Sequence, residues 1–188
     1  MSPKTCFVTV GATASFPSLI HAVLHPSFLR ALQSHAYTAL TIQYGADGHE
    51  TYQAALTHAS SPPHDLTITA FDLDHAGLQK YISASRSGVV ISHAGSGTIL
   101  EALRLGAPLV VVPNPTLLDN HQLELAEALA AQEYVVHGRL ERLDAALGDA
   151  EALRVRQKSW PPVNSGVHRR AKGVGLKGIL DEEMGFLD

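Results

Sequence analysis

Glycines, hydroxyl groups and a carboxylate are grouped in one short segment of the sequence, residues 92–101, which reads SHAGSGTILE. It follows a run of β-branched residues and opens a helical pattern, so we expect it to join a strand to a helix. Gly95 and Gly97 would let the backbone approach a ligand closely, and free amide groups at a helix N-terminus attract anions. The segment therefore predicts binding of a diphosphate, to which each contact with the helix dipole contributes about 0.3–2 kcal/mol.

Two further segments show a similar order of strand, polar loop and helix. Gly11 and Thr13 lie in a loop between the first apolar run and Pro17. Asn114 ends a later apolar run, beyond which polar groups suited to hydrogen-bonding sugar hydroxyls stand at the start of the next helical pattern. These groups belong to Asp119, Asn120, His121 and Gln122.

Each segment also has an ordinary structural interpretation. Thr98 and Glu101 have the spacing of a capping box, and Asp119 and Gln122 have the spacing of an N-cap residue and its N3 partner. Three polar loops after strands of one small sheet are harder to explain as three unrelated caps. Because ligands of parallel sheets usually bind beyond the carboxyl ends of the strands, the coincidence favours a ligand site.

Short apolar runs that alternate with helical patterns predict an α/β fold, in which a parallel sheet is covered by helices on both faces. The runs expected to form strands are residues 7–10, 40–44, 66–70, 88–92 and 109–113. The segments expected to form helices are residues 16–24, 26–33, 50–58, 75–83, 98–105, 120–132 and 139–157.

The composition excludes several classes of protein. With 45% hydrophobic and 17% charged residues, the 188-residue chain is an ordinary globular protein, and its net charge of −4 gives no reason to expect nucleic-acid binding. Cys6 is the only cysteine and no secretory signal is recognisable, which favours the cytosol. The eleven histidines are scattered without metal-binding spacing, so we expect no metal site.

A Trp-Pro-Pro sequence at 160–162 marks the end of the predicted domain. We therefore expect one domain over residues 1–160 and a helical tail over residues 161–188, which could pack on its own domain or on a partner. The apolar residues at a rough helical spacing in the tail are Val174, Leu176, Ile179, Leu180, Met184 and Phe186.

Taken together, VTVG at 8–11, ISHAGSGT at 91–98 and DNHQ at 119–122 resemble the asparagine-linked glycosylation protein 13 family, and LDEEMGF at 180–186 resembles its fungal members. The resemblance covers nearly the entire chain. It implies a Rossmann-like domain of the GT-B C-terminal type. It also implies the catalytic subunit that adds the second N-acetylglucosamine to a dolichol-diphosphate-linked sugar at the cytosolic face of the endoplasmic reticulum. The implied partner is a membrane-anchored, acceptor-binding subunit of the asparagine-linked glycosylation protein 14 type.

The resemblance also implies roles for individual residues. Those implied to face the UDP diphosphate are Gly95, Ser96, Gly97 and Thr98, with Glu101 accepting hydrogen bonds from the ribose. Those implied to address the sugar ring are Asn120, His121 and Gln122. Phe71 and Asp72 would read the uracil with backbone and an apolar face, and Phe71 is expected in the core as well. The predicted donor site is completed by Gly11, Thr13, Asn114 and Asp119, although Ala12 and the sequence at 15–17 depart from the family pattern.

The expected reaction is inverting transfer, in which the acceptor hydroxyl attacks the anomeric carbon and UDP leaves. The helix N-terminus at Gly95 would stabilise the leaving diphosphate without a metal or other cofactor. His93 is the candidate general base; alternatively it anchors the loop by hydrogen bonding, and the base lies on the partner. A non-catalytic UDP-sugar-binding or scaffold subunit is the second possibility. An epimerase is disfavoured because such enzymes carry both domains on one chain.

Overall fold

The computed structural model of the protein describes residues 3–12, 14–59, 65–116 and 121–159. They form a parallel sheet of six strands in the order β3-β2-β1-β4-β5-β6. The strands are β1 (Thr5–Thr9), β2 (Ala39–Gln43), β3 (Thr67–Phe71), β4 (Val89–His93), β5 (Leu109–Val112) and β6 (Val136–His137). The helices are α1 (Pro17–Leu24), α2 (Pro26–Ser34), α3 (His49–His58), α4 (Gln79–Ala84), α5 (Ser96–Leu105), α6 (His121–Ala131) and α7 (Leu143–Ser159), with a 3₁₀ turn at Leu140–Arg142. The predicted Rossmann-like α/β fold is confirmed.

Alternating side chains of the strands enter two separate core layers. Val8 and Ile91 pack with α1, α2, α3 and α7 on one face of the sheet. Phe7 and Val90 pack with α4, α5 and α6 on the other. Because both faces are covered, these strands are nearly continuous apolar runs, and their carboxyl ends, which lie at one edge, are where polar residues enter the sheet.

The helix boundaries follow local chemistry. Pro17 and Pro26 occupy the first positions of α1 and α2, where a missing N–H costs nothing. At the other end of α5, Gly106 adopts the left-handed conformation with φ +67°, and the N–H of Ala107 donates to the carbonyl of Ala102. Pro17 thus ends the loop that follows β1 at the carboxyl edge, whereas Gly106 begins the turn that leads into β5 at the opposite edge.

Three elements differ from the sequence-based expectation. Helix α4 begins at Gln79 and not at residue 75, because the Asp74 carboxylate accepts a hydrogen bond from Ala76 N–H and Gly77 has φ +89°, so a turn replaces the first helical turn. The segment 139–157 is a 3₁₀ turn followed by α7. The two-residue strand β6 carries too little sequence signal to be predicted.

Helix α7 is tied to the amino end of β1 by a polar cluster. The Glu151 carboxylate accepts a hydrogen bond from the Tyr37 hydroxyl at 2.7 Å and pairs with Lys4 Nζ at 2.9 Å and an Arg154 nitrogen at 2.6 Å.

Among the residues that the structure describes, no helix is long and apolar enough to cross a membrane. The predicted tail, residues 161–188, and the apolar positions assigned to it lie outside the described residues.

Candidate functional site

Three polar side chains lie next to one another at the carboxyl edge of the sheet. Gln43, Thr9 and Ser92 are paired across β2, β1 and β4 in register, and each is at most 2% exposed. Burying a polar group is unfavourable unless it is hydrogen-bonded, so this row must be held by internal partners. The Ser92 hydroxyl donates to the carbonyl of His93 at 2.6 Å.

Gln43 links two of the loops that leave this edge. Its Nε2 group donates to the carbonyl of Gly11 at 3.1 Å and to the carbonyl of Asp72 at 2.8 Å. Its Oε1 atom accepts from the Thr9 hydroxyl at 2.6 Å and from Gly11 N–H at 3.2 Å. The reversed amide would set donor against donor and carbonyl against carbonyl, so the network determines its orientation.

His93 joins the first loop to the loop before α5. A Cβ added at Gly11 would lie 2.7 Å from His93 Nε2, and a Cβ added at Gly95 would lie 2.8 Å from its Cε1. Both distances are shorter than van der Waals contact, so the imidazole fits only because glycine stands on each side. Since Gly11 also has φ +84°, its backbone conformation independently favours glycine.

The environment of His93 disfavours the protonated form of its ring. Burial lowers the pKa of His93 below its ordinary value of 6.5, because a desolvated imidazole is harder to protonate. A hydrogen bond with the Thr9 backbone raises the pKa and offsets this effect only in part. Its Nδ1 atom is buried and has no hydrogen-bond partner within the described ranges. The ring therefore anchors the two loops by packing between Gly11 and Gly95, in addition to its hydrogen bond with the Thr9 backbone.

Asn114 connects the first loop to the loop after β5. Its Nδ2 group donates to the carbonyl of Ser15 at 3.2 Å, and its Oδ1 atom accepts from the Thr116 hydroxyl at 2.8 Å. The N–H of Asn114 donates to Gln122 Oε1 at 3.0 Å. Asn114 and the Oε1 atom of Gln122 thus make contacts within the protein. In a capping box the Gln122 side chain would bond to the start of its own helix, but here it bonds to the loop after β5.

The N-terminus of α5 has no side-chain cap. Gly95 is the N-cap residue, and Thr98 is already the third residue of the helix, so the capping-box interpretation of Thr98 and Glu101 is wrong. A Cβ added at Gly97 would meet nothing within 4 Å. Among the described residues, the half-buried Glu101 has no hydrogen-bond or ion-pair partner for its carboxylate. The first backbone N–H groups of α5 can therefore bind an anion, with a carboxylate one turn further along.

Phe71 is half-buried at the end of β3 and belongs to an aromatic stack. Its ring lies 4.5 Å from that of Tyr81 at 21° between planes, and Tyr81 stacks in turn on Phe7 at 5.2 Å. Phe71 therefore packs against the buried core while remaining partly exposed itself. Its backbone neighbour Asp72 is the residue whose carbonyl Gln43 holds.

The structure brings four loops together at one edge through Gln43, His93 and Asn114. His121 is the exposed first residue of α6. Three residues assigned to the site lie outside the described residues: Thr13, Asp119 and Asn120. The sequence analysis missed Gln43, although a glutamine that ends a buried apolar strand, level with Thr9 and Ser92 on neighbouring strands, is a recognisable signal.

A concavity lies away from this edge, between α1, α2 and the 3₁₀ turn. It has a volume of about 310 Å³ and is lined by side chains that include His21, Phe28 and Asp144. It contains none of the predicted site residues. Because ligands of such sheets usually bind beyond the carboxyl ends of the strands, the four loops remain the candidate site.

Comparison with known proteins defines the class. The C-terminal domain of glycosyltransferase family 28 matches residues 5–159 of this chain, so the domain is that of a glycosyltransferase. The UDP-N-acetylglucosamine transferase subunit ALG13 of Cryptococcus neoformans is 34% identical over 98% of both chains. The subunit of that name from Yarrowia lipolytica is 35% identical over 96% of this chain and 84% of its own. This chain belongs to the ALG13 family, which confirms the resemblance noted from the motifs.

Solved structures agree on the fold. The solution structure of ALG13 has a TM-score of 0.61 and 28% identity, covering 84% of this chain and 87% of that one. MurG of Acinetobacter baumannii has a TM-score of 0.64 at 19% identity, covering 98% of this chain and 51% of MurG. The architecture of this chain therefore corresponds to about half of the MurG fold.

Proposed function

We propose that this protein is the donor-binding, catalytic subunit of an inverting glycosyltransferase. It would move N-acetylglucosamine from UDP-N-acetylglucosamine to N-acetylglucosaminyl-diphosphodolichol, the second step in assembling the lipid-linked sugar for N-glycosylation. The names of the relatives support both the donor and the need for a second subunit. The dolichol-linked acceptor and the cytosolic face of the endoplasmic reticulum rest on the resemblance of the motifs at 8–11, 91–98 and 119–122.

The N-terminus of α5 is the main support for diphosphate binding. Glycine within a helix costs about 0.5–1 kcal/mol relative to alanine, and Gly97 neither has a positive φ nor touches anything that a Cβ would displace. Its presence is explained if a ligand approaches the backbone there. The uncapped N–H groups and the helix dipole would then stabilise the leaving diphosphate, so the proposed mechanism requires no metal.

The remaining proposed contacts rest on the resemblance of the motifs, and the positions of the loops at one edge support them. Glu101 would accept the ribose hydroxyls, and the loop at Phe71 and Asp72 would contact the uracil. His121 and the Nε2 group of Gln122, which has no partner among the described residues, would bind the sugar hydroxyls. Thr13, Asp119 and Asn120 are proposed to complete the donor site, with Gly11 and Asn114 shaping its loops.

His93 has two possible roles that kinetics can separate. Its enclosure between Gly11 and Gly95 supports a positioning role for the ring, with the general base on the partner subunit. In that case His93→Ala weakens donor binding but leaves measurable turnover. If His93 is itself the base, the same substitution lowers kcat by about 10²–10⁴-fold, because that is the usual contribution of general-base catalysis.

A transferase of this type closes a cleft between two domains, and this chain forms one of them. We propose that a membrane-anchored subunit of the asparagine-linked glycosylation protein 14 type supplies the other, bound through the tail at 161–188. Deleting residues 170–188 should abolish co-purification with that subunit and leave the core folded. A truncated chain that fails to fold would show that the tail packs on its own domain.

The alternative, a non-catalytic scaffold, predicts transfer that does not depend on this chain's own site. In the reconstituted pair, Glu101→Ala should raise the donor KM by about 10- to 100-fold, since hydrogen bonds to charged groups contribute about 1.5–3 kcal/mol. Glu127→Ala is the matched control, because it removes an exposed carboxylate from α6. Equal activity of the two variants would favour the scaffold.

A further inference from the structure

Gln43 uses its whole hydrogen-bonding capacity to hold two loops in fixed register. Its two N–H groups go to the carbonyls of Gly11 and Asp72, and its oxygen takes both the Thr9 hydroxyl and Gly11 N–H. The side chain is 2% exposed, so it does not reach into the space where a ligand would bind. Its effect on any ligand must pass through the two loops.

The backbone at the end of β2 and just beyond it reinforces the same connection. Gln43 O accepts from Val10 N–H at 3.2 Å, and Gly45 N–H donates to Asp72 O at 3.2 Å. The carbonyl of Asp72 thus takes one bond from the backbone and one from the Gln43 amide. Without that amide, no other side chain among the described residues bridges Gly11 and Asp72.

We propose that Gln43 is a positioning residue that fixes the distance between the part of the site that holds the nucleobase and the part that holds the diphosphate. The inference rests on the proposed function, in which the loop at Asp72 contacts the uracil, while the diphosphate lies between the loop at Gly11 and the N-terminus of α5. A ligand that spans both parts gains from their fixed separation, because the loops need no reordering when it binds. A ligand that occupies only the diphosphate end gains much less from Gln43, because its binding does not depend on the separation of the two loops.

The test uses Gln43→Leu in the full-length chain with its membrane subunit. We expect the KM for UDP-N-acetylglucosamine and the inhibition constant of UDP to rise by about 10-fold. The kcat at saturating donor, the acceptor KM and the inhibition constant of inorganic diphosphate should stay within about 2-fold. Gln43→Glu should resemble Gln43→Leu, since a carboxylate cannot donate to the two carbonyls.

Tyr37→Phe is the matched control for a loss of stability, because it removes a partly buried hydrogen bond at the opposite edge of the sheet. It should leave all these constants unchanged at a comparable loss of thermal stability. Unchanged donor KM in Gln43→Leu, or an equal change in Tyr37→Phe, would overturn the proposal. So would a parallel rise in the inhibition constants of UDP and inorganic diphosphate.

Amide hydrogen exchange tests the loop connection independently of the reaction. Gln43→Leu should raise exchange in both the peptide that contains Gly11 and the peptide that contains Asp72, whereas Tyr37→Phe should raise it in neither. Unchanged exchange in Gln43→Leu overturns the positioning role. If the wild-type pair neither binds UDP nor transfers sugar while Gln43→Leu still loosens both loops, the proposed function fails and the loop connection stands.

Discussion

Gly95→Ala tests the contact on which the arrangement of the site depends. The added Cβ would lie 2.8 Å from Cε1 of His93 and closer still to its Nε2, and the ring cannot retreat because Gly11 closes its other side. Overpacking of this kind costs about 1–3 kcal/mol. For a chain of this size that corresponds to a fall of about 2–12 °C in Tm. Urea and thermal unfolding of the full-length chain would measure it.

A double-mutant cycle with His93→Ala separates this contact from any other effect of alanine at position 95. Removing the ring removes the clash. Alanine at position 95 then has two small, opposed effects: it stabilises the protein by lowering the entropy of the unfolded chain, and it destabilises α5 because glycine is the better N-cap residue. In the His93→Ala background, Gly95→Ala should therefore change stability by no more than about 0.5 kcal/mol, giving a coupling of about 1–3 kcal/mol. The same cost in both backgrounds would refute the packing of His93 between the two glycines.

Four further predictions concern single positions. Gly97→Ala should raise the free energy of unfolding by about 0.5–1 kcal/mol in urea titrations while weakening UDP binding about 10-fold by calorimetry, and unchanged UDP affinity would count against a ligand at α5. The pKa of His93 is lowered on folding, so its contribution to stability is complete above pH 6.5 and declines as the pH falls towards the folded-state pKa; stability curves of His93→Gln should be flatter there. Ala36→Gly should stabilise the protein by about 0.5–1 kcal/mol and so raise Tm, because Ala36 has φ +58°, where a side chain is unfavourable; a lower Tm would contradict this. Tyr37→Phe should cost about 1–2 kcal/mol through the lost bond to Glu151 without changing UDP affinity, as calorimetry would show.

The fold was predictable because its central strands β1, β4 and β5 are buried on both faces. Apolar runs such as residues 7–10 and 109–113 signal their positions to within two residues of β1 and β5. The elements that were predicted wrongly depend on contacts that the pattern of apolar and polar residues does not reveal. The turn made by Asp74 and Gly77 delays α4, and β6 forms only because β5 offers it a partner.

The loops of the site were predictable, but the way they are joined was not. Glycines and polar residues that follow strands indicated the loops at Gly11, Gly95 and Asn114. The topology of a parallel sheet brings the carboxyl ends of its strands, and therefore these loops, to one edge. Which side chains face a ligand and which face each other depends on contacts distant in sequence. Gln43 bonds to Asp72, and Asn114 to Ser15, across separations that spacing along the chain cannot reveal.

Transfer of radiolabelled N-acetylglucosamine from its UDP donor to a phytanyl-diphosphate-N-acetylglucosamine acceptor tests the central claim most directly. The assay compares this chain alone, the membrane subunit alone and the reconstituted pair. We predict transfer by the pair only, with loss of donor saturation in Glu101→Ala and not in Glu127→Ala. Absence of transfer by a folded, stably assembled pair would contradict a catalytic role and leave a UDP-sugar-binding subunit.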